Sequence, residues 1–386
     1  MSGATGTAAG PVPPVLPDTL PAPRVRPEAV ATTAPPETAT ATAPVRPETA
    51  TATAPVRPEL ATVTVPVRPE LATATVPVRP ETTTVTAPVR SVRPRTAVVP
   101  RGFATGTGPP VELHRHPVAG GPVTGRMLLL HGLGNSATVW DAFLAHRPAG
   151  QELWTADLPW RGAGDGGWHR APDATRWLAE ALDGVPGGAG TVVAHSFSAL
   201  QTLALLDREL DAGRDPFDRY GIEGLVLVSP FYRRTAEEFD WDSMTRYPAE
   251  FERIMEEGIR VHSGGRLDPE IQLSMARRVC DRIGPYGWLR FVDSYLRTPW
   301  LRPGRIRVPA VVVCGARDIA VDPAEGRDLT ADLPDAYVRV LTDCGHFLMT
   351  ERPEEFSSVV GDFVMSLSSR ARSQRPGDRA PGETAP

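Results

Sequence analysis

Hydrophobic positions fall into short apolar runs that alternate with stretches repeating every three to four residues. RMLLLHG (Arg126–Gly132) is almost continuously apolar and ends on Gly, as suits a strand buried on both faces of a parallel sheet. ELWTADLP (Glu152–Pro159), TVVAH (Thr191–His195), GLVLVSP (Gly224–Pro230), VPAVVVCG (Val308–Gly315) and YVRVL (Tyr337–Leu341) read the same way. TAVV (Thr96–Val99) and VELHRH (Val111–His116) predict two opening strands. Helical spacing lies between them, at 136–144, 173–185, 197–210, 324–333 and 353–367. Alternating strands and helices predict a mostly parallel sheet covered by helices on both faces, an α/β fold.

One stretch breaks the alternation. From Phe231 to about Arg307 only helical patterning occurs, with Pro248, Pro269, Pro285 and Pro299 expected as breaks. This predicts a helical cap at 231–307 inserted between the two parts of a core at 96–230 and 308–367.

The first 95 residues read differently. PVRPE starts at Pro44, Pro55, Pro66 and Pro77, with a decayed copy at Pro88, and Thr/Ala stretches run between the copies. Proline in every unit rules out the right-handed coiled coil that an eleven-residue period could specify. The first aromatic residue of the chain is Phe103, so this segment has too little apolar surface to offset its ordering entropy. A disordered, partly polyproline-II arm is expected, serving as a spacer or, in a sharper reading, as a docking arm for an unknown partner. Residues 368–386 are expected to form a second disordered tail.

Composition narrows the partners. A net charge of -5 and no global basic surplus argue against nucleic acid. All 41 cationic side chains are Arg, a codon-level bias that removes weight from any local Arg enrichment. Three cysteines are too few for a disulfide framework, and neither a secretory signal nor a membrane-spanning run is legible. A soluble cytoplasmic protein acting on a small molecule is the expectation, with no metal and no cofactor.

The chemistry centres on TVVAHSFSAL, a strand running through Ser196 directly into a helix. A serine at such a turn is pushed out of the sheet beside a helix N-terminus. The flanking positions must be small, because the two backbones approach closely there. Ala194 and Ser198 stand where the G-x-S-x-G pattern has glycine. Asp318 follows the strand ending at Gly315, and His346 lies after the last strand, giving the chain order Ser, Asp, His. Asp322, a rival acid, reads as a helix cap before Pro323. His195 is expected to pack under the turn. His114 and His116 share a strand face, with no carboxylate expected nearby to complete a metal site. Cys344 reads as a buried, inert thiol.

These features resemble the α/β-hydrolase superfamily in its form with a helical cap. The matching motifs are His131-Gly132, D-L-P-x-R-G-x-G at Asp157–Gly164, the Ser196 turn, G-x-x-D at Gly315–Asp318, and Gly345-His346 followed by E-x-P up to Pro353. The resemblance implies Ser196 as nucleophile, His346 as base, Asp318 as orienting acid, and an oxyanion hole from the N–H groups of Leu133 and Phe197. Aromatic residues of the cap are expected to roof an apolar pocket, with Trp160 and Phe197 below and Phe231, Trp241 and Trp288 in its walls. The expected activity is hydrolysis of an ester, lactone or thioester of a small, mostly apolar compound. The fold also hosts carbon–carbon bond hydrolysis, acyl transfer or cyclisation, cofactor-free haloperoxidase chemistry and non-catalytic binding.

Overall fold

The apolar runs assemble into one eight-stranded sheet in the computed structural model, which describes residues 96–98, 111–118, 120–161, 167–171 and 173–373. β1 (Thr96–Val98), β2 (Glu112–His116) and β3 (Gly125–Leu130) are followed by α1 (Asp141–Ala145) and β4 (Gln151–Asp157). Next come α2 (Thr175–Asp183), β5 (Gly190–His195), α3 (Phe197–Asp211), α4 (Pro216–Tyr220) and β6 (Ile222–Val228). Two long helices, α5 (Trp241–Ser263) and α6 (Pro269–Leu296), precede β7 (Ala310–Gly315). The chain continues through α7 (Pro323–Asp332), β8 (Ala336–Leu341), α8 (Leu348–Glu351) and α9 (Pro353–Ser373). The spatial order is β1-β2-β4-β3-β5-β6-β7-β8, parallel from β4 to β8 and antiparallel at the β1 and β2 edge. This is the α/β fold class expected from the sequence.

Why the runs are apolar throughout is visible in the two cores. Leu128, Leu130, Val192, Ala194, Leu225 and Leu227 face one side, against Trp177 of α2 and Leu203 of α3. The alternating Met127, Leu129, Val193, Val226 and Val228 face the other, against Phe143 of α1 and Phe356 and Phe363 of α9. Each such side chain, fully buried, contributes roughly 1.5–3 kcal/mol, so both faces require apolar residues and the period-two alternation disappears.

Two expectations need correction, and a third holds. Pro248 does not break a helix: it lies inside α5, which forgoes one backbone hydrogen bond and runs on to Ser263. Pro285 does break the helical path as expected: Gly284, directly before it, leaves helical geometry at φ 64° and ψ 173°, so α6 is two helical segments joined at a kink. Residues 368–373 are not a tail, because α9 extends to Ser373. Its last turns are held by Ser368, Ser369 and Ser373 hydroxyls donating to carbonyls one turn back, and by an Arg370–Asp335 ion pair. The repeat arm at 1–95 and residues 374–386 lie outside the described residues. No helix among the described residues is long and apolar enough to cross a membrane.

Candidate active site

Strand ends build the site. β5 finishes at His195, and Ser196 caps α3 with φ 55° and ψ −120°, a strained conformation for a residue with a side chain. The strain persists because both sides of the turn are tied down. The Ser196 N–H donates to the Val228 carbonyl at 2.8 Å, and the Ser196 carbonyl accepts from Ala199 and Leu200. The neighbours must be small: a Cβ on Gly132 would stand 3.0 Å from the Ser196 Cβ and 2.9 Å from His195 Nδ1. Ser198, at a position where the pattern has glycine, is buried and donates its hydroxyl to the His131 carbonyl. The serine therefore replaces a glycine without leaving an unpaired polar group.

The other two residues arrive from the loops after β7 and β8. His346 Nε2 lies 3.0 Å from Ser196 Oγ, and His346 Nδ1 lies 2.9 Å and 3.1 Å from the Asp318 carboxylate oxygens. The Asp318 and His346 side chains are 1% and 4% exposed, so water does not compete for these bonds. The Asp318 carboxylate takes further bonds from the N–H groups of Ala320 (2.8 Å) and Val321 (3.0 Å). Burial alone would raise its pKa. Attraction to His346 and the surrounding hydrogen bonds outweigh this and hold it below the usual carboxylate range. With Asp318 ionised, His346 carries its proton on Nδ1, leaving Nε2 to accept from the serine.

Two further histidines support this geometry. His195 is fully buried, its ring 4.7 Å from that of His346, and its Nε2 donates to the His346 carbonyl at 2.9 Å. Burial and the nearby His346 drive its pKa well down, so it stays neutral. It packs under the turn as expected and also fixes the backbone of His346. His131 is also buried, with a pKa lowered by burial to about 4. Its Nδ1 donates to the Gly132 carbonyl at 2.8 Å, and its Nε2 accepts from Leu158 N–H at 2.9 Å. The turn 132–135 is thereby pinned to the end of β4. Leu133 stands in that turn, in the pocket wall beside Ser196. Phe197 begins α3, where helix geometry offers its N–H no carbonyl. Neither N–H is taken up by a backbone carbonyl outside helices and strands among the described residues.

A pocket opens on Ser196 and His346. Phe231 and Trp288 line it, as expected, together with Phe291. Trp241 does not: it is 81% exposed at the first residue of α5. It precedes Tyr247, the first α5 residue in the wall, by about 9 Å of helix rise, and its ring lies in solvent. Trp160 is not in the wall either. It is fully buried below the site, edge-on to Phe197 at 5.2 Å, with its indole N–H donating to the His131 carbonyl at 3.2 Å. The Phe197 ring likewise packs beneath and contributes no wall.

Other wall residues were not singled out from the sequence. Phe251, Ile254 and Met255 line the pocket from α5, and Phe347 lines it from the residue after His346. The helical spacing 251, 254, 255, 258 was the available signal. Ser229 also escaped notice. It follows β6, is fully buried with φ 45°, and its hydroxyl sits near enough to Asp318 to favour the carboxylate while falling short of a well-formed hydrogen bond.

Asp322 caps α7, accepting Ala324 N–H at 2.8 Å, and takes no part in the site. Burial pushes the Cys344 thiol up to about 12. The surroundings of His114 differ from expectation, because pairing of β2 with β4 brings Asp157 to 3.2 Å from its Nε2 and Glu112 adjoins both. Arg161, 3.7 Å and 3.8 Å from these two carboxylates, supplies the positive charge that a cation would otherwise bring.

Comparison with known proteins agrees with this architecture. A pimeloyl-[acyl-carrier protein] methyl ester esterase of Aromatoleum aromaticum is 26% identical over 256 residues, covering 62% of this chain and 97% of the relative. A 2-hydroxy-6-oxononadienedioate/2-hydroxy-6-oxononatrienedioate hydrolase of Burkholderia vietnamiensis is 25% identical over 62% of this chain and 86% of its own length. Among solved structures, a bromoperoxidase from Bacillus anthracis shares the fold, with a TM-score of 0.50 at 16% identity over 70% of this chain and all of that one. The family model described as alpha/beta hydrolase matches residues 127–359, from β3 into α9 and through all three strand-end residues, and the chain belongs to that family.

Proposed function

We propose that this protein is a serine hydrolase that cleaves an ester, lactone or thioester of a small, mostly apolar compound through an acyl-enzyme intermediate. The observation that carries the reading is the relay from Asp318 through His346 to Ser196, with 2.9 Å and 3.0 Å contacts, ending at the floor of an apolar pocket. Serine is a poor nucleophile at neutral pH. His346 Nε2 takes its proton as Oγ attacks the acyl carbon, and Asp318 stabilises the imidazolium that results. The N–H groups of Leu133 and Phe197 receive the oxyanion, each donor worth roughly 3 kcal/mol in the transition state. The imidazolium then protonates the leaving group. Water, activated by the same histidine, attacks the acyl-serine and releases the acid.

The relatives include both an esterase and a hydrolase of 2-hydroxy-6-oxo dienedioates at similar identity, so ester hydrolysis is distinguished from carbon–carbon cleavage by assay. Fluorophosphonate labelling tests the nucleophile: the native protein should label at Ser196, and Ser196→Ala should not. A panel of p-nitrophenyl esters of graded chain length beside a vinylogous diketone tests the reaction. Turnover of the diketone with none of any ester would replace ester hydrolysis by carbon–carbon cleavage.

A further inference from the structure

The wall of the pocket is apolar apart from a few groups, and Glu250 is the one carboxylate among them. It sits on α5 on the same face as Tyr247 and Ile254, three residues before and four residues after, which also line the pocket. It is partly buried. The acidic residues that follow it on the helix are paired. Glu252 takes a bond from Arg277, Glu256 from Gln272 and Glu257 from Arg260. No hydrogen bond or ion pair engages Glu250 among the described residues. Asp242, in the first turn, is exposed to solvent, so Glu250 is the one carboxylate of this helix that lines the pocket.

An apolar substrate filling this space strips water from Glu250 and gives nothing back, which is unfavourable for a charged group. A substrate carrying a cationic N–H donor on its apolar body replaces that water with an ion pair. A substrate ending in a carboxylate meets like charge in a confined, partly desolvated site. Building on the esterase reading above, we infer that Glu250 is a specificity-determining residue. It selects acyl compounds that bear a protonated amine and rejects those that bear a second carboxylate.

The test uses the full chain and three p-nitrophenyl esters of equal length, ending in a methyl, an ammonium or a carboxylate group. In the native protein kcat/KM should fall in the order ammonium, methyl, carboxylate. Glu250→Gln should shrink the ammonium-to-carboxylate ratio by about tenfold, as expected for loss of one partly buried charge interaction. Glu252→Gln, one that removes a paired carboxylate, should leave that ratio where it was. A native preference for the carboxylate ester, or a ratio that Glu250→Gln does not move, overturns the inference. A binding arm separates this from failure of the esterase reading. In calorimetric titrations hexylammonium should bind more tightly than hexanoate, and Glu250→Gln should close the gap, whether or not any ester is turned over. Equal binding of the two ions to the native protein also overturns it. No labelling of Ser196 and no ester turnover, with the ammonium preference intact, removes the esterase reading and leaves the charge selection standing.

Discussion

Replacing Gly315 by alanine tests whether the loops after β7 and β8 are set by direct backbone contact. Gly315 is the last residue of β7, three before Asp318. A Cβ there would lie 2.1 Å from the Gly345 carbonyl oxygen and 2.6 Å from that of Cys344, both backbone atoms immediately before His346. Ordinary van der Waals contact begins near 3.4 Å, so the 344–345 segment must retreat by about 1 Å. It cannot do so freely, because the Cys344 carbonyl accepts Arg317 N–H at 3.0 Å and Ala316 N–H donates to the Leu341 carbonyl at 2.8 Å. The retreat separates His346 from Asp318. A displacement of about 1 Å in a reacting array lowers rate by about 10²-fold, and overpacking of this kind destabilises by roughly 1–3 kcal/mol. The assays are the rate of fluorophosphonate labelling, kcat/KM on a p-nitrophenyl ester and the urea midpoint. Gly361→Ala is the control: it lies inside α9, where a Cβ meets nothing closer than Pro148 at 3.8 Å, and it should leave labelling alone and stabilise by up to about 1 kcal/mol. A Gly315→Ala protein that labels at the native rate would show that the two loops are not positioned by this contact.

Other outcomes follow from the same geometry. Asp318→Asn should lower kcat by about 10⁴-fold with little change in KM, whereas Asp322→Asn should cost at most about 1 kcal/mol of stability and leave kcat alone; equal losses in steady-state kinetics would put the acid in doubt. Glu209, 3% exposed in its side chain, accepts from Arg214 at 2.6 Å and 3.0 Å, and this pairing with Arg208 nearby holds its pKa down to about 2 from 4.5. A depressed carboxylate contributes stability above its unfolded pKa and loses it as pH falls toward the folded one. Glu209→Gln should therefore be about 1–2 kcal/mol less stable at pH 7, the half-exposed arginines screening part of a larger ceiling, and urea midpoints should converge with the native values as pH drops from about 4.5 toward 2. Tyr295→Phe removes a hydroxyl 2.9 Å from both oxygens of the buried Glu325 and 3.0 Å from Arg233 Nε, and should lower the urea midpoint by the equivalent of about 1–3 kcal/mol.

Ser196, Asp318 and His346 were legible because each follows a strand whose apolar run marks its end, so chain order and strand ends place them together. The fold class was legible for the same reason. Side-chain direction was not. Trp241 and Trp288 look alike in sequence, yet one begins α5 in solvent while the other stacks on Phe291 over the pocket. Glu112, His114 and Asp157 come together only through the pairing of β2 with β4, which no local pattern announces. Pro248 misled because a proline inside a helix costs one hydrogen bond, and tertiary packing of Phe251, Ile254 and Met255 can outweigh that loss. Ser229 carried no signal, since its importance lies in a backbone angle and in a neighbour 89 positions away in sequence.

Phe347 directly follows His346, lines the pocket, and packs so closely on α5 that a Cβ on Gly258 would stand 2.7 Å from its ring. One loop therefore carries both His346 and part of the pocket wall. On the proposed reading, substitution at Phe347 would reshape the pocket next to the base, while Phe251, Ile254 and Met255 sit on a helix that carries none of Ser196, Asp318 or His346. Divergence toward new substrates should accordingly accumulate on α5 and leave the residue after the histidine nearly fixed, making that helix the productive target for engineering.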